Sequence, residues 1–375
     1  MKGMSYIFRL TMVIALILSS MDAFSQIEGP ETPGVGTGDP VKITVQPDPM
    51  MVQHWAMPTL TNPAATGDVD FIRIRGGARL DYLGSHQSPK NFLLTGDSPF
   101  KLLGKKIGAG LIVNSNSYFL YRNLLIGAQG SYKFNIKNST LSVGLQIGYF
   151  RSSFKGSELK LTDLMPPGSG EGGADNEGNT GEEGGEDSGS EEDFPEDSPE
   201  FPTQDVAGGT FDVSLGVRYE HPYFHIGISA LHLTNSTIKL KKENESATDL
   251  QYIDCKVPMS LYFEAGGNIG INNSLFTLQP SLFLMSDFND FQGIAEMRAT
   301  YNQKFTFGVD YRWNRAVGAL VGLTLKNFYI GYAWEYDYKS KPKGSTGNHE
   351  LVIGYQFKMD SGGKNTFSHR SIRIM

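Results

Sequence analysis

From Asp70 onward the chain alternates apolar residues with polar or small ones, in segments of about ten residues. In Phe211-Asp212-Val213-Ser214-Leu215-Gly216-Val217-Arg218-Tyr219-Glu220 the alternation is unbroken. Between 141 and 149, Leu141, Val143, Leu145, Ile147 and Tyr149 fall on one side and Ser142, Gly144, Gln146 and Gly148 on the other. Phe305, Phe307, Val309, Tyr311 and Trp313 oppose Thr306, Gly308, Asp310 and Arg312, and Phe328 to Tyr338 repeats the pattern with six large apolar residues on one face. Successive side chains of a strand point to opposite faces, so each segment predicts a two-faced strand. Alternation alone leaves two folds open. In a soluble sandwich the apolar face turns to the core; in a transmembrane barrel it turns to lipid, and the polar face lines the lumen.

Three features favour the barrel. The strands are about ten residues long, which suits a tilted crossing of a bilayer, whereas soluble strands run about five to six. Aromatics gather near segment ends, as at Tyr149-Phe150, Tyr219, Tyr223-Phe224 and Tyr329, as an interfacial girdle requires. The apolar sets hold large aromatics while the opposite sets are small and polar, which suits a wet lumen. The predicted strands are 71–82, 90–97, 105–115, 122–134, 140–151, 208–220, 223–233, 258–269, 274–285, 291–301, 304–313, 316–325, 328–338 and 348–357. The expectation is an all-β, up-and-down antiparallel transmembrane barrel of fourteen strands over residues 70–357. The long connections 154–208, 235–258 and 338–348 then share one end, which outer-membrane barrels turn outward. Short turns at Glu220-His221-Pro222 and Asn302-Gln303 mark the other end; the short turn at Asn314-Arg315 falls on the outer one.

Before Asp70 the pattern is different. Lys2 and Arg9 precede an apolar run, Leu10 to Leu18, that ends in Ala23-Phe24-Ser25, the form of a cleaved secretory signal at 1–25. The single cysteine, Cys255, is not at the cleavage point, so no lipid anchor is expected there, and one cysteine excludes an internal disulfide. Residues 26–69 are expected to form a flexible N-terminal segment and possible luminal plug. Within it, residues 26–49 are rich in Gly and Pro and lack periodicity. Residues 53–67 combine turn residues with Trp55, Met57 and Leu60, and are expected to pack in the periplasmic mouth or inside the lumen.

Composition adds 44 Gly and 11% aromatics, with a mean hydropathy of only −0.27. The net charge of −7 is local: residues 171–205 carry 14 acids and no Lys or Arg, leaving 26 acids against 33 bases elsewhere. This stretch centres a loop, about 166–207, too polar to bury a core and expected to be disordered and solvated. Its oxygens suit Ca²⁺ in type, but it lacks the regular spacing of a calcium loop. Little points to catalysis. His54, His86, His221, His225, His232, His349 and His369 are scattered, with no HExxH or GxSxG pattern. His225 and His232 lie on opposite faces of one predicted strand. Catalytic, cofactor-binding and metal-ligating residues are therefore each expected to be none, and nothing suggests a nucleic-acid partner.

An ordered set of short motifs resembles the PorP/SprF family of type IX secretion membrane proteins. Gln53 with Asn62-Pro63-Ala64 and Gly67 matches its opening; Ser98-Pro99-Phe100 and Gly108-Ala109-Gly110 match its first hairpins. Tyr311-Arg312-Trp313-Asn314, Val317 to Gly322, Gly331-Tyr332, Tyr336-Asp337, Gly347-Asn348-His349-Glu350-Leu351 and Tyr355-Gln356-Phe357 match its end. The family commonly has Ser where Asn348 stands, and the acidic insert departs from its core. The tail 358–375, with Arg370 and Arg373, resembles the family's short cationic ending. The resemblance implies a cell outer-membrane protein with no catalytic residues. It implies assistance in secreting or surface-attaching a large cargo with a type IX sorting domain, often a gliding adhesin. It also implies periplasmic secretion-ring or peptidoglycan-binding partners. The rival expectation, from the barrel alone, is a channel for small solutes whose conductance depends on Arg218, Asp310, Arg312 and Glu335.

Overall fold

The computed structural model describes residues 41–45, 50–85, 88–102, 104–158, 204–242, 253–271, 275–339 and 342–358. The expected signal segment 1–25, nearly all of the expected acidic loop 166–207, the tail from 359, His86 and His369 lie outside these residues.

Eighteen strands are present among the described residues. β1 is Val41–Thr44. The barrel wall follows: β2 Phe71–Leu80, β3 Lys90–Leu102, β4 Lys105–Tyr118, β5 Tyr121–Ile136, β6 Ser139–Lys155, β7 Asp205–His221 and β8 Phe224–Leu231. β9 (Thr237–Lys242) and β10 (Ile253–Lys256) form a hairpin at the long-loop end. The wall resumes with β11 Ser260–Gly267, prolonged by β12 Ile269–Gly270, then β13 Phe276–Ser286, β14 Phe291–Tyr301, β15 Phe305–Arg312, β16 Ala316–Leu325, β17 Phe328–Asp337 and β18 Asn348–Lys358. Counting β11 and β12 as one crossing, fourteen antiparallel strands close into a barrel. β18 pairs with β2, from Lys358↔Phe71 to His349↔Leu80, and β8 pairs directly with β11.

The alternation translates directly into the two faces of this wall. β17 runs strictly exposed–buried, with Ile330, Tyr332, Trp334 and Tyr336 outward and Gly331, Ala333, Glu335 and Asp337 inward. Leu111 is 65% exposed and Val309 61%, a solvent exposure that only a lipid neighbour makes favourable. The connections are those the alternating pattern requires. At Asn302-Gln303 both residues take left-handed φ (49° and 55°), the twist that suits a two-residue hairpin turn.

Several expectations need correction. Tyr329 is not a girdle residue: it is fully buried on the inner face, as is Phe150. Residues 26–49 are not wholly irregular, since β1 is a strand that pairs in parallel with β10. Nor is the predicted connection 235–258 all loop: Cys255, within it, lies in β10 and is fully buried. His232 does not lie outward across from His225. β8 ends at Leu231, and His232 takes φ 56°, which turns its ring inward. There its Nδ1 meets Asp212 Oδ1 at 2.9 Å.

The small sheet β1-β10-β9 grows from the outer end of β7, where Val206 pairs with Lys242 and Ala207 with Lys241. It folds over the mouth rather than standing away from it. Val45, Ile238, Leu240, Ile253 and Cys255 pack on the inward-facing Ile112, Leu125, Phe150 and Phe154 of β4, β5 and β6. The long-loop end is thus roofed on the β4–β7 side.

Candidate functional site: the barrel interior and its long-loop mouth

Residues 50–67 lie inside the barrel. They enter at the long-loop end, where Met50 O accepts from Arg312 Nη2 at 2.9 Å, and reach the short-turn end. There Gly67 N donates to Asp97 Oδ2 at 2.7 Å. Between these ends the segment makes three single-turn 3-10 helices, at His54–Ala56, Pro58–Leu60 and Pro63–Ala65. Proline at the first position of two of them presets the backbone and has no N–H to satisfy.

Wall side chains supply the partners that a short irregular segment cannot supply itself. Glu350 on β18 accepts from the N–H groups of Val52 and Gln53, both at 2.8 Å, one on each carboxylate oxygen. Arg75 Nε donates to Ala56 O at 3.1 Å, Gln129 Nε2 to Thr59 O at 2.7 Å, and Ser131 Oγ to Thr66 O at 2.7 Å. Ser229 Oγ donates to Thr61 O. Asn62 caps the third turn, its Oδ1 accepting from Ala64 N at 3.0 Å, while its Nδ2 donates to Val217 O at 3.3 Å. These contacts come from strands all round the wall, so the segment is held centrally.

Backbone runs so close to the wall that two glycines are obligatory. A Cβ at Gly144 would sit 2.2 Å from both Pro63 C and Ala64 N, and one at Gly108 would sit 2.0 Å from Thr66 O. Apolar contacts complete the packing. Met51, Met57 and Leu60 meet Leu93, Tyr329 and Val352. His54 stacks on Phe283 with centroids 4.5 Å apart, and the Arg298 guanidinium lies 4.0 Å over the Trp55 ring. Tyr329, turned inward by the alternation of β17, donates from its hydroxyl to Gln53 Oε1 at 2.9 Å, which satisfies that buried group.

Two ion-pair networks flank the segment. Toward the outer end Arg79 meets Glu335 Oε2 (2.5 Å), Glu350 Oε2 (3.3 Å) and Asp81 (2.9 Å), and Arg312 reaches Glu335 Oε1 at 2.9 Å. Toward the short-turn end Arg73 joins Asp68 and Asp97 at 2.7 and 2.8 Å, and Arg218 pairs with Glu220 and Glu264. Removing one partner of such a buried pair costs about 3–5 kcal/mol, because the other charge is left uncompensated. Arg218, Asp310, Arg312 and Glu335 therefore do face the interior, but three of them are tied up in pairs. Asp310 is buried with no hydrogen bond to its carboxylate among the described residues. The sequence reading did not single out Arg79 or Asp97, and it gave Glu350 only as part of the closing motif. The available signal was a charged residue on the small-residue face of a strand, which says "interior" without naming a partner.

Among the described residues the histidines do not converge. His54 is inside, His221 lies against Tyr223 and Phe224, and His349 meets the Tyr332 hydroxyl at 2.7 Å. Among the described residues no group of three or more His, Cys, Asp or Glu side chains is placed to hold a metal ion.

The unroofed part of the mouth holds a cavity of about 600 Å³. Its floor and walls include Met50, Arg79, Tyr82, Tyr118, Asp287, Asp290, Arg312 and Arg315, and its roofed side is formed by Thr44, Val45 and Lys256. Outside the membrane-spanning strands, Tyr82 is pushed up by burial, offset by the Arg315 guanidinium whose Nη2 donates to its hydroxyl at 3.0 Å.

No curated protein sequence matches the chain. Among solved structures it is similar to Omp33 of Acinetobacter baumannii at 7% identity and TM-score 0.39, over 77% of this chain and 99% of that one. A FadL homologue from Pseudomonas aeruginosa aligns at 11% identity and TM-score 0.42, over 79% and 92%. BamA from Haemophilus ducreyi, lacking its POTRA domains 1–3, aligns at 10% identity and TM-score 0.36, over 76% and 70%. Residues 43–355 match the model of a family described as type IX secretion system membrane protein PorP/SprF.

Proposed function

Because this chain belongs to the PorP/SprF family of type IX secretion membrane proteins, we propose that it assists the secretion or surface attachment of a large secreted protein, without catalysing a reaction. The barrel resides in the outer membrane. The observation that carries the proposal is the division of its interior: residues 50–67 occupy the lumen from end to end, while a polar cavity stays open at the outer mouth. Such an interior suits holding a protein from outside better than passing solutes through. The cargo carries a type IX sorting domain and is of the adhesin kind; periplasmic secretion-ring or peptidoglycan-binding components contact the short-turn end. Deleting the gene tests this: one secreted protein moves from the cell surface to the medium while others stay in place. An unchanged distribution of every secreted protein refutes it.

A solute channel is the rival reading. The filled lumen speaks against it, and planar-bilayer recording of the purified barrel separates the two. Silence is expected; steady conductance altered by Arg218→Ala or Glu335→Gln would favour the channel.

A further inference from the structure

The geometry points to the free edge of β1 as the place where an extended segment of the secreted partner docks, adding a strand to the mouth sheet and lying in the cavity beside it. This rests on the proposed holding role and says where the partner is held.

The roof over the mouth is a sheet that stops partway across. Its order is β9, β10, β1, and among the described residues β1 pairs with β10 alone. In a parallel pair, alternate residues bond to the neighbour and the rest bond away from it. Val45 N donates to Lys256 O at 2.8 Å, so Val45 and Ile43 face β10. The N–H and C=O groups of Lys42 and Thr44 therefore point to the other side. Thr44 and Val45 line the cavity on that side. An unpaired edge is a template for another chain, and folded proteins usually cover or blunt it. Among the described residues it borders the cavity at the long-loop end.

The chemistry of the cavity selects the occupant. Main-chain hydrogen bonds to a strand edge recognise an extended polypeptide and no small solute. The lining is charged and polar, which excludes an apolar peptide. Lys256 is exposed beside Thr44 at the edge itself. Arg315, across the cavity, is already paired with Asp337, and Asp81, Asp287 and Asp290 share the lining. The partner segment is thus extended and polar, with an acidic residue where it passes Lys256.

The test uses the full chain in its native envelope, in cells lacking the chromosomal copy. p-Benzoylphenylalanine replaces Thr44 as a photo-crosslinker, and replaces Leu111 on the lipid face as a control. Surface retention of secreted proteins is measured in parallel for Thr44→Pro and Lys256→Glu. Proline removes the outward N–H without disturbing the bond from Val45 to β10. A heat-modifiable band on gels confirms a folded barrel for each variant. The expected result is an adduct at position 44, and none at 111, that maps to one extended segment of a secreted protein. Retention of that protein should fall about tenfold in Thr44→Pro, the worth of one or two backbone hydrogen bonds. If retention by Thr44→Pro and Lys256→Glu equals wild type, or if position 44 crosslinks only to this chain itself, the docking site is overturned while the holding role stands. If deleting the whole chain releases no secreted protein, both fall.

Discussion

Glu350→Gln should loosen the N-terminal segment inside the barrel while leaving the wall intact. In the native protein each carboxylate oxygen of Glu350 accepts one backbone N–H, from Val52 and from Gln53, at 2.8 Å. Oε2 also meets Arg79 Nη1 at 3.3 Å. A carboxamide has the same shape but offers one acceptor. Its NH₂ must face a donor, so one hydrogen bond is lost outright and the other loses its charge assistance. Bonds to a charged group contribute about 1.5–3 kcal/mol each, so the combined loss is about 3 kcal/mol. At about 1.4 kcal/mol per decade this is a little over a hundredfold in the local opening equilibrium. Arg79 keeps Glu335 and Asp81, so the wall itself should hold. Hydrogen exchange of the detergent-solubilised barrel, read on peptides covering residues 50–57, measures the change directly. Protection there should drop about a hundredfold, while β4 to β7 peptides exchange as before. Protection within about threefold of wild type would show that Glu350 does not anchor the segment, and the account of the lumen would have to be withdrawn.

Other perturbations probe the remaining features. Gly144→Ala places a methyl against the Pro63–Ala64 backbone and should lower stability by about 1–3 kcal/mol in urea titration. Gly130→Ala, where a Cβ meets nothing within 4 Å, should change it by less than about 0.5 kcal/mol. Leu111→Arg puts a charge on the lipid face and should cost about 2–4 kcal/mol in folding into vesicles; an unchanged midpoint would place that face away from lipid. Burial pushes the Cys255 thiol up, partly offset by its contact with Ser152, so it should resist maleimide in the native barrel and react on unfolding. Labelling at the rate of a free thiol would mean that the mouth sheet does not pack as described.

The wall was legible because lipid imposes a strict rule on it. Every second residue of β15 or β17 must be apolar for one continuous crossing, so period and length both show in the chain. The mouth sheet was not legible for the converse reason. Val41-Lys42-Ile43-Thr44-Val45 does alternate, yet it is five residues among glycines and prolines, and its partner β10 lies some two hundred positions away. Tyr329 was misassigned because an aromatic at a strand end suits a girdle, although the alternation of β17 itself turns residue 329 inward, where Gln53 meets its hydroxyl. The interior contacts share that limit. Asn62-Pro63-Ala64 reads as a turn, but nothing local says that Gly144 must be bare opposite it. Nor does anything near Glu350 indicate that its acceptors serve Val52 and Gln53, nearly three hundred residues earlier.

That separation constrains how the molecule can be made. Val52 and Gln53 precede every strand of the wall in the chain, and β18 is the last strand of the wall. Glu350 and Arg79 sit opposite each other across the β18–β2 seam, so the seam and the anchor are the same residues. The inner segment continues into β2 at one end and is stitched through β1 to β10 at the other. Closing the wall and anchoring its contents therefore draw on the same two side chains, as a casting and its core share one surface. Contacts of such long sequence separation form slowly. A change at Glu350 or Arg79 therefore reaches the seam of the cylinder and its filling together.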